Sequence, residues 1–294
     1  MIAMDCASSS GLPQVRRATG QDSSAFPLAL AISIPNPFAA VGLWNSREIL
    51  KIPIRGGDAR SRHNGSVTTT LITGATRGLG REAARRLVEL GHAVYVGARD
   101  AEAGQKVAVD LGARLLPLDV IDDRSVENAA ELVRSQVGEL DVLVNNAGIA
   151  GEQRLPGDAT LDDMIRVFDT NVLGPTRVLK AFTPLLEASA LPVVINVSSA
   201  VGSLARNADP MAPWSMLAYP MSKAALNMLT VQYAKAYRRW RVNAVTPGLT
   251  ATEFTKSQGG WSVTEGAEII VRMASIGPDG PTGTFVEAAG AVPW

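Results

Sequence analysis

The chain has 294 residues, of which 46% are hydrophobic and 19% charged, and this balance is typical of a globular protein. Its 28 basic and 28 acidic residues cancel at pH 7, which argues against nucleic acid or an anionic membrane as a partner. A single cysteine, Cys6, excludes an internal disulfide and favours a reducing compartment, so we expect a cytoplasmic protein.

The first 66 residues show no sustained helical or strand period. Their most apolar stretch, residues 25–34, is too short to span a bilayer and is followed by prolines. The start, MIAMDCASSS, lacks the positive charge of a signal peptide, and scattered acidic residues argue against a transit peptide. We expect residues 1–66 to be a disordered or artefactual extension, and residues 67–294 to form one domain that enters no membrane.

From residue 67 onward, short apolar runs alternate with amphipathic stretches of helical spacing. The predicted strands span residues 68–74, 93–98, 114–120, 141–148, 193–199, 241–247 and 283–288. The predicted helices span residues 81–90, 101–112, 124–137, 161–188, 222–237 and 264–274. This alternation predicts an α/β fold, a doubly wound (Rossmann) parallel sheet of about seven strands with helices on both faces. Ligands bind such sheets at the carboxyl ends of the strands.

A glycine-rich turn, TGATRGLG at 73–80, joins the first predicted strand to the first predicted helix. Gly74 allows a tight exit from the strand, Gly78 allows the backbone to approach a ligand, and Gly80 allows the helix to pack closely on the sheet. The N–H groups at the start of the helix favour a pyrophosphate. The spacing departs from G-x-G-x-x-G, and an ordinary turn between a strand and a helix explains the same glycines.

Two arginines lie where the ribose of a dinucleotide is expected. Arg77 belongs to the glycine turn, and Arg99 follows the second predicted strand. Ala98 stands where a carboxylate that accepts from a free 2′-hydroxyl is expected, whereas arginine suits a 2′-phosphate. The arrangement favours NADP over NAD; the alternative is that both arginines are solvated surface charges. No metal site is expected, because His63 and His92 have no partners at metal-ligand spacing.

Three further residues have the chemistry that reduction of a carbonyl requires. Tyr219 and Lys223 are four residues apart, so a helix places them on one face. A nearby cation stabilises a phenolate and lowers the pKa of the phenol, which then exchanges protons more readily. Ser199, at the carboxyl end of a predicted strand, can donate to the substrate oxygen. Tyr-x-x-x-Lys alone is more common in ordinary amphipathic helices; the glycine turn and the serine give it weight.

Six segments together resemble the short-chain dehydrogenase/reductase family, over residues 67–294. They occur in the family's order: TGATRGLG (73–80), NNAG (145–148), Asn171, NVSSAVG (196–202), YPMSK (219–223) and VNAVTPGLTAT (242–252). Residues 264–285 are also similar to the carbonyl-reductase-like branch, which includes plant ketone reductases.

The resemblance implies a site for NADP(H) and a set of catalytic residues. Implied cofactor contacts are Gly74, Arg77, Gly78, Leu79 and Gly80 in the turn, Arg99 at the 2′-phosphate, Asp119 and Val120 at the adenine, Asn146, Ala147 and Gly148 at the ribose, and Thr250 and Thr252 at the nicotinamide carboxamide. Implied catalytic residues are Ser199, Tyr219 and Lys223 with Asn171, of which Tyr219 and Lys223 also contact the cofactor. Asn171 is expected to kink its helix and to hold a water in a proton path to Lys223.

The expected function is therefore the NADPH-dependent reduction of a small ketone or aldehyde to an alcohol, or the reverse, with Tyr219 as proton donor. The alternatives are other chemistry of the family, such as epimerisation or dehydration, and a non-catalytic NADP-binding sensor. The resemblance also implies a homodimer or homotetramer formed through helices 161–188 and 219–238. The second helix would present apolar residues outward: Leu226, Leu229, Tyr233 and Tyr237.

Two features depart from the family's pattern. Ser199 and Tyr219 are 20 residues apart, which is more than is usual. The additional stretch, residues 203–217, is either a loop that shapes an apolar substrate pocket or a surface insertion that packs on itself. It contains Met211, Trp214, Met216 and Leu217. The end of the chain, GTFVEAAGAVPW at 283–294, lacks the acidic-glycine ending common in the family.

Overall fold

Eight strands form a single sheet in the computed structural model, which describes residues 67–212 and 215–294. The expected extension, residues 1–66, and Trp214 of the additional stretch lie outside the described residues. The strands are β1 (Thr69–Thr73), β2 (Ala93–Ala98), β3 (Arg114–Pro117), β4 (Val142–Asn145), β5 (Val193–Val197), β6 (Arg241–Val245), β7 (Phe285–Glu287) and β8 (Gly290–Ala291). Their order is β3-β2-β1-β4-β5-β6-β7-β8, and every neighbouring pair is parallel except the β7–β8 hairpin.

The helices cover both faces of this sheet. They are α1 (Gly78–Glu89), α2 (Ala101–Leu111), α3 (Asp123–Gln136), α4 (Leu161–Phe168), α5 (Gly174–Ala188), α6 (Leu204–Asn207), α7 (Ala218–Ala236) and α8 (Val263–Ala274). A π-helical segment, Asp169–Leu173, joins α4 to α5, and short 3₁₀ turns span Pro156–Asp158 and Ala200–Gly202. No helix in the described ranges has the length and apolarity needed to cross a membrane.

Alternate residues of the strands face opposite sides of the sheet, and both sides are buried. Ile72, Val144 and Ile195 belong to a core cluster that includes residues of α1, α2 and α8. Their neighbours on the same strands, such as Leu71 and Val194, belong to a second cluster with residues of α3 and α5. Because helices cover each face, the central strands β1, β4 and β5 are buried along their whole length, which confirms the predicted doubly wound fold.

Several boundaries differ from the predicted ones. The β7–β8 hairpin adds an eighth strand of two residues, too short to leave a periodic pattern. Helix α7 begins at Ala218, four residues before its predicted start, because Pro220 is tolerated in a first turn, where its missing N–H has no helical partner. Tyr219 and Lys223 therefore lie on one continuous helix. The long helix predicted over 161–188 is interrupted by the π-helical segment, which contains Asn171.

Candidate active site

The polar segments that follow β1, β4, β5 and β6 converge at the carboxyl edge of the sheet. These four strands are neighbours in the order β1-β4-β5-β6, and all run in the same direction. The loops that leave them contain the glycine turn, residues 145–148, residues 198–202 and residues 246–252. The structure thus brings the sequence-predicted segments together where ligands bind folds of this kind.

The glycine turn is shaped by close backbone packing. Gly74 and Gly78 have φ angles of 63° and 53°, in the left-handed region that favours glycine. A Cβ atom on Gly80 would lie 2.5 Å from Nδ2 of Asn146 and 2.8 Å from the carbonyl oxygen of Gly74, so this position has no room for a side chain. Helix α1 receives no capping hydrogen bond from its N-cap residue, Arg77, and has no acidic residue in its first turn. Its first N–H groups are suited to an anion.

Asn146 braces this turn from the end of β4. Its side-chain amide donates to the carbonyl oxygens of Thr73, at 2.9 Å, and Gly74, at 3.0 Å. The hydroxyl of Thr73 in turn accepts from the backbone N–H groups of Asn146 and Ala147, both at 3.0 Å. The side-chain amide of Asn146, which the family resemblance implies at the cofactor ribose, is therefore hydrogen-bonded to the backbone of β1 and the glycine turn.

The two arginines differ in their surroundings. Nη1 of Arg77 lies 2.5 Å from Oε2 of Glu253, and both side chains are exposed. Glu253 belongs to the loop after β6, 176 residues further along the chain, so sequence reasoning missed this contact. Arg99 is exposed beyond β2, directly after the buried Ala98. The next residue, Asp100, caps α2 by accepting from two backbone N–H groups, which leaves its carboxylate committed.

Asp119 and Val120 follow β3 as predicted and lie beside the sheet edge. Oδ1 of Asp119 accepts from the N–H of Ile121 at 3.2 Å, and its own N–H donates to Ser125 at 2.9 Å. Val120 is buried against Gly174, where a Cβ atom would lie 3.0 Å from the valine side chain. These contacts fix the backbone of the segment that would meet the adenine.

Lys223 is a buried cation one helical turn after Tyr219. Its Nζ donates to the carbonyl oxygen of Val197, the last residue of β5, at 2.8 Å and lies 5.6 Å from the centroid of the Tyr219 ring. Burial lowers the pKa of Lys223 to about 8. Burial raises the pKa of Tyr219 to about 12, and a hydrogen bond with the Ser199 side chain partly opposes this rise. The expectation that the lysine lowers the pKa of the phenol differs from this structure, in which desolvation dominates.

The two adjacent serines after β5 have different partners. Ser199 is the one bonded to Tyr219. The hydroxyl of Ser198 is buried and donates to Oδ1 of Asn227 at 2.6 Å, away from the phenol. Of the two serines, Ser199, which the S-x-x-G pattern indicates, is thus the one whose side chain meets the phenol.

Asn171 is fully buried in the π-helical segment. Its Oδ1 accepts from the N–H of Ile149 at 2.8 Å, and its Nδ2 donates to the carbonyl oxygen of Ile149 at 2.9 Å and to the hydroxyl of Ser222 at 3.0 Å. A Cβ atom on Gly148 would lie 3.2 Å from Oδ1 of Asn171 and 3.6 Å from Nζ of Lys223. Asn171 therefore fixes the loop after β4 beside the lysine, and the π-helical geometry replaces the expected kink.

The loop after β6 reaches both sides of the cleft. Thr250 is buried, with its hydroxyl donating to the carbonyl oxygen of Pro247 at 3.2 Å, whereas Thr252 lies beside Gly78. Phe254 packs against Tyr219 with 5.6 Å between ring centroids and 54° between ring planes. Sequence reasoning missed Phe254; the available signal was an aromatic residue between polar neighbours, Glu253 and Thr255.

The additional stretch does not pack only on itself, because its first half is fastened to the end of the chain. The hydroxyl of Ser203 donates to the carbonyl oxygen of Pro293 at 2.7 Å. Arg206 forms two hydrogen bonds with Glu287, at 2.7 and 3.1 Å. Trp294 stacks on Phe285 of β7, with ring centroids 5.6 Å apart. These contacts give the unusual C-terminal sequence a packing role, while Met211 remains exposed.

Comparisons with known proteins agree with this geometry. A family model described as short chain dehydrogenase matches residues 68–262. The chain is 31% identical to (-)-isopiperitenone reductase of Mentha piperita and 32% identical to (+)-neomenthol dehydrogenase of Arabidopsis thaliana, in each case over 73% of this chain and 94% of the relative. Among solved structures it resembles an NADPH-bound carbonyl reductase from chicken fatty liver, with a TM-score of 0.70, 28% identity and coverage of 78% of this chain and 99% of that one.

The tight packing of the turn leads to a stability prediction. We expect Gly80→Ala to lower the free energy of unfolding by roughly 1–3 kcal/mol, because the added methyl group would overlap Asn146 and the backbone of Gly74. Gly157→Ala is the control, since no atom lies within 4 Å of a Cβ atom there, and we expect a change within about 0.5 kcal/mol. Urea unfolding of both variants at an unchanged m value is the measurement. Equal midpoints would contradict the prediction.

Proposed function

Because this chain belongs to the short-chain dehydrogenase family, we propose that it is an NADPH-dependent oxidoreductase that reduces a ketone or an aldehyde to an alcohol, or catalyses the reverse reaction. The observation that carries the proposal is the grouping of Ser199, Tyr219 and Lys223 beside the glycine turn. The named activities of the relatives support it, since they include reductases and a dehydrogenase.

The residues of this chain would manage the proton while the cofactor, when bound, supplies a hydride. The raised pKa of Tyr219 keeps the phenol protonated at neutral pH, which suits a donor to the carbonyl oxygen. Ser199 can donate to the same oxygen and resist the charge that builds up there. Lys223, largely cationic below its pKa of about 8, stabilises the phenolate left after proton transfer.

The residues at the carboxyl edge also suit NADP(H). The uncapped start of α1 and the tight turn at Gly74, Gly78, Leu79 and Gly80 would hold the pyrophosphate. Arg77 and Arg99 would hold the 2′-phosphate, with Glu253 as the group that Arg77 exchanges for it. Ala98 offers no carboxylate to a free 2′-hydroxyl, and its methyl group lies close to Gly104 of α2, where a Cβ atom would come within 2.6 Å of it.

We further propose that the substrate is a small, largely apolar carbonyl compound. Phe254 lies against the phenol ring and offers an apolar wall at the point of reaction. Met216 and Leu217, which are partly buried, follow in the additional stretch just before α7. Of the two interpretations of this stretch, its fastening to the C-terminal residues favours a fixed wall of the substrate pocket.

For the assembly we propose a homodimer in the cytoplasm. The apolar face expected on α7 differs in the structure: Leu226 is buried, and Leu229, Tyr233 and Tyr237 pack against the chain's own core. Other apolar side chains are exposed on the two helices expected at the interface. They include Ile165 on α4, which is 67% exposed, and Met228 on α7, which is 57% exposed. These are the side chains that a second copy would cover.

The mechanism predicts the outcome of Tyr219→Phe. Turnover should fall by at least about a hundredfold, because the proton donor is removed while the ring remains. NADPH binding, followed by cofactor fluorescence, should persist. The assay is the loss of NADPH absorbance with a panel of ketones and aldehydes. Tyr237→Phe at the far end of α7, where the ring stacks on Trp240, is the matched control and should keep normal turnover. Near-normal turnover of Tyr219→Phe would refute the mechanism.

Cofactor choice is tested at Arg99. If this arginine contacts the 2′-phosphate, Arg99→Ala should weaken NADPH by about ten- to a hundredfold, the equivalent of one charge-assisted contact. NADH lacks that phosphate and should be almost unaffected. Lys106→Ala, which removes an exposed cation from α2, is the control and should change neither affinity. An equal loss of affinity for both cofactors, or a native preference for NADH, would show that Arg99 does not contact the 2′-phosphate.

The dimer is tested by light scattering at micromolar concentration. We expect twice the mass of one chain for the native protein and the mass of one chain for Met228→Glu, since a buried unpaired carboxylate is costly. Val109→Glu on α2, also at an exposed apolar residue, should remain dimeric. A native protein with the mass of one chain would contradict the proposal.

A further inference from the structure

One side chain of α7 joins the two ends of the turn that presents Ser199. Oδ1 of Asn227 accepts from the hydroxyl of Ser198 at 2.6 Å, and its Nδ2 donates to the carbonyl oxygen of Gly202 at 3.2 Å. Ser198 precedes Ser199, and Gly202 ends the 3₁₀ turn that follows it. Asn227 and Ser198 are almost completely buried, at 4% and 3% exposure, so water does not compete for these bonds.

Asn227 lies on the same face of α7 as the phenol and the ammonium group. Tyr219, Lys223 and Asn227 are spaced by four residues, which stacks them along one side of a helix. The helix therefore carries the proton donor at one end of this row and the amide that holds the serine turn at the other. A shift of the turn along α7 changes the distance from Ser199 to Tyr219.

The turn is also in close contact with α7 through its backbone. A Cβ atom on Gly202 would lie 2.8 Å from both the carbonyl carbon and the Cβ of Lys223, so the turn cannot move closer to the helix. The hydroxyl of Ser198 lies 3.4 Å from the carbonyl oxygen of Lys223 as well. Backbone packing prevents approach, and the amide of Asn227 prevents separation.

We propose that Asn227 is a positioning residue, which sets the distance between the Ser199 hydroxyl and the Tyr219 phenol by holding both ends of the 198–202 turn on α7. The inference rests on the proposed function for the roles of Ser199 and Tyr219, but the geometric claim does not need an activity. A polar residue is required because Leu, of similar volume, would leave the carbonyl of Gly202 without its side-chain partner and Ser198 with only the longer contact to the carbonyl oxygen of Lys223.

The consequence reaches the acid–base behaviour of the site. The hydrogen bond with Ser199 lowers the pKa of Tyr219 against the effect of burial, so loosening the turn should raise that pKa further. The charged group facing the phenol ring is Lys223, and the other ring neighbours, Ser199 and Phe254, are neutral. Ion pairs hold several of the charged side chains on the elements packed near α7: Asp163 with Arg166, Asp169 with Arg177, and Glu253 with Arg77. The same elements also carry Asp162 on α4 and Lys256 in the loop after β6.

Two variants test the proposal, Asn227→Leu and the milder Ser198→Ala, which removes one of the two contacts. We expect kcat for carbonyl reduction to fall about ten- to a hundredfold in Asn227→Leu, because small displacements of reacting groups have large effects on rate. NADPH affinity should be unchanged. The pH at which alcohol oxidation reaches half its maximum should move upward, since oxidation needs the phenolate. Ser198→Ala should show the same changes at smaller size.

Thr230→Val is the matched control. Thr230 is another buried polar residue of α7, and it accepts from Nδ2 of Asn196 on β5 at 2.9 Å, away from the serine turn. Its loss should lower stability without moving kcat or the pH profile. If Thr230→Val changes kcat and the pH profile as much as Asn227→Leu does, the effect is general to α7 and the proposal is overturned. A native kcat and pH profile in Asn227→Leu overturns it as well, and Ser198→Ala decides in the same way if Asn227→Leu does not fold.

Crystal structures separate this inference from the proposed function. In the native protein we expect Ser199 Oγ within hydrogen-bond distance of the Tyr219 hydroxyl, and in Ser198→Ala we expect a longer separation. An unchanged separation overturns the positioning role, whatever the activity. Absence of NADPH-dependent turnover in the native protein would refute the proposed function and leave the geometric result standing.

Discussion

The hydrogen bond from Lys223 to the last carbonyl of β5 is the contact around which the edge of the sheet is organised. It fixes the ammonium group of a buried lysine at 2.8 Å from Val197 and thereby fastens α7 to the strand that ends beside Ser199. Removing a cation from water is costly, and a single carbonyl offsets only part of that cost. The lowered pKa of Lys223 reflects the remainder. The buried ammonium group of Lys223 is stabilised by any negative charge that forms nearby, and the phenolate of Tyr219 is such a charge.

Around this lysine the fold uses two kinds of residue for two different purposes. Apolar residues on both faces of the strands pack against the helices, and this packing stabilises the sheet. Amide side chains account for the position of its loops: the partly buried Asn146 holds the glycine turn, and the buried Asn171 and Asn227 hold the loop after β4 and the serine turn. Because an amide has both donor and acceptor atoms, each can bind two backbone or side-chain groups at once and set the angle between them.

Local patterns made the strands, the glycine turn and the Tyr219–Lys223 pair predictable. A parallel sheet buried on both faces leaves continuous apolar runs, and a helical spacing of four places two side chains together. Contacts between segments far apart in sequence leave no such pattern. The pairing of Arg77 with Glu253, the engagement of Asn146 with Thr73 and the fastening of Arg206 to Glu287 all join different loops. The π-helical geometry at Asn171 was unpredictable for a related reason, since it depends on the hydrogen bond that the Asn171 side chain forms with Ile149 in the loop after β4.

Two neighbouring residues of the loop after β6 connect the halves of the cleft. Glu253 reaches Arg77 on the side of the glycine turn, while Phe254 rests against Tyr219 on the side of the proton donor. An ion pair this exposed contributes only about 0–1 kcal/mol, and the tilted aromatic contact is worth about 0.5–1.5 kcal/mol beyond its buried area. Hydrogen bonds within the loop, from the Thr255 hydroxyl to the carbonyl oxygens of Thr250 and Thr252, therefore do more to hold its shape than either of these two contacts. Because Glu253 and Phe254 are adjacent, one short segment borders both the cofactor side and the substrate side of the cleft.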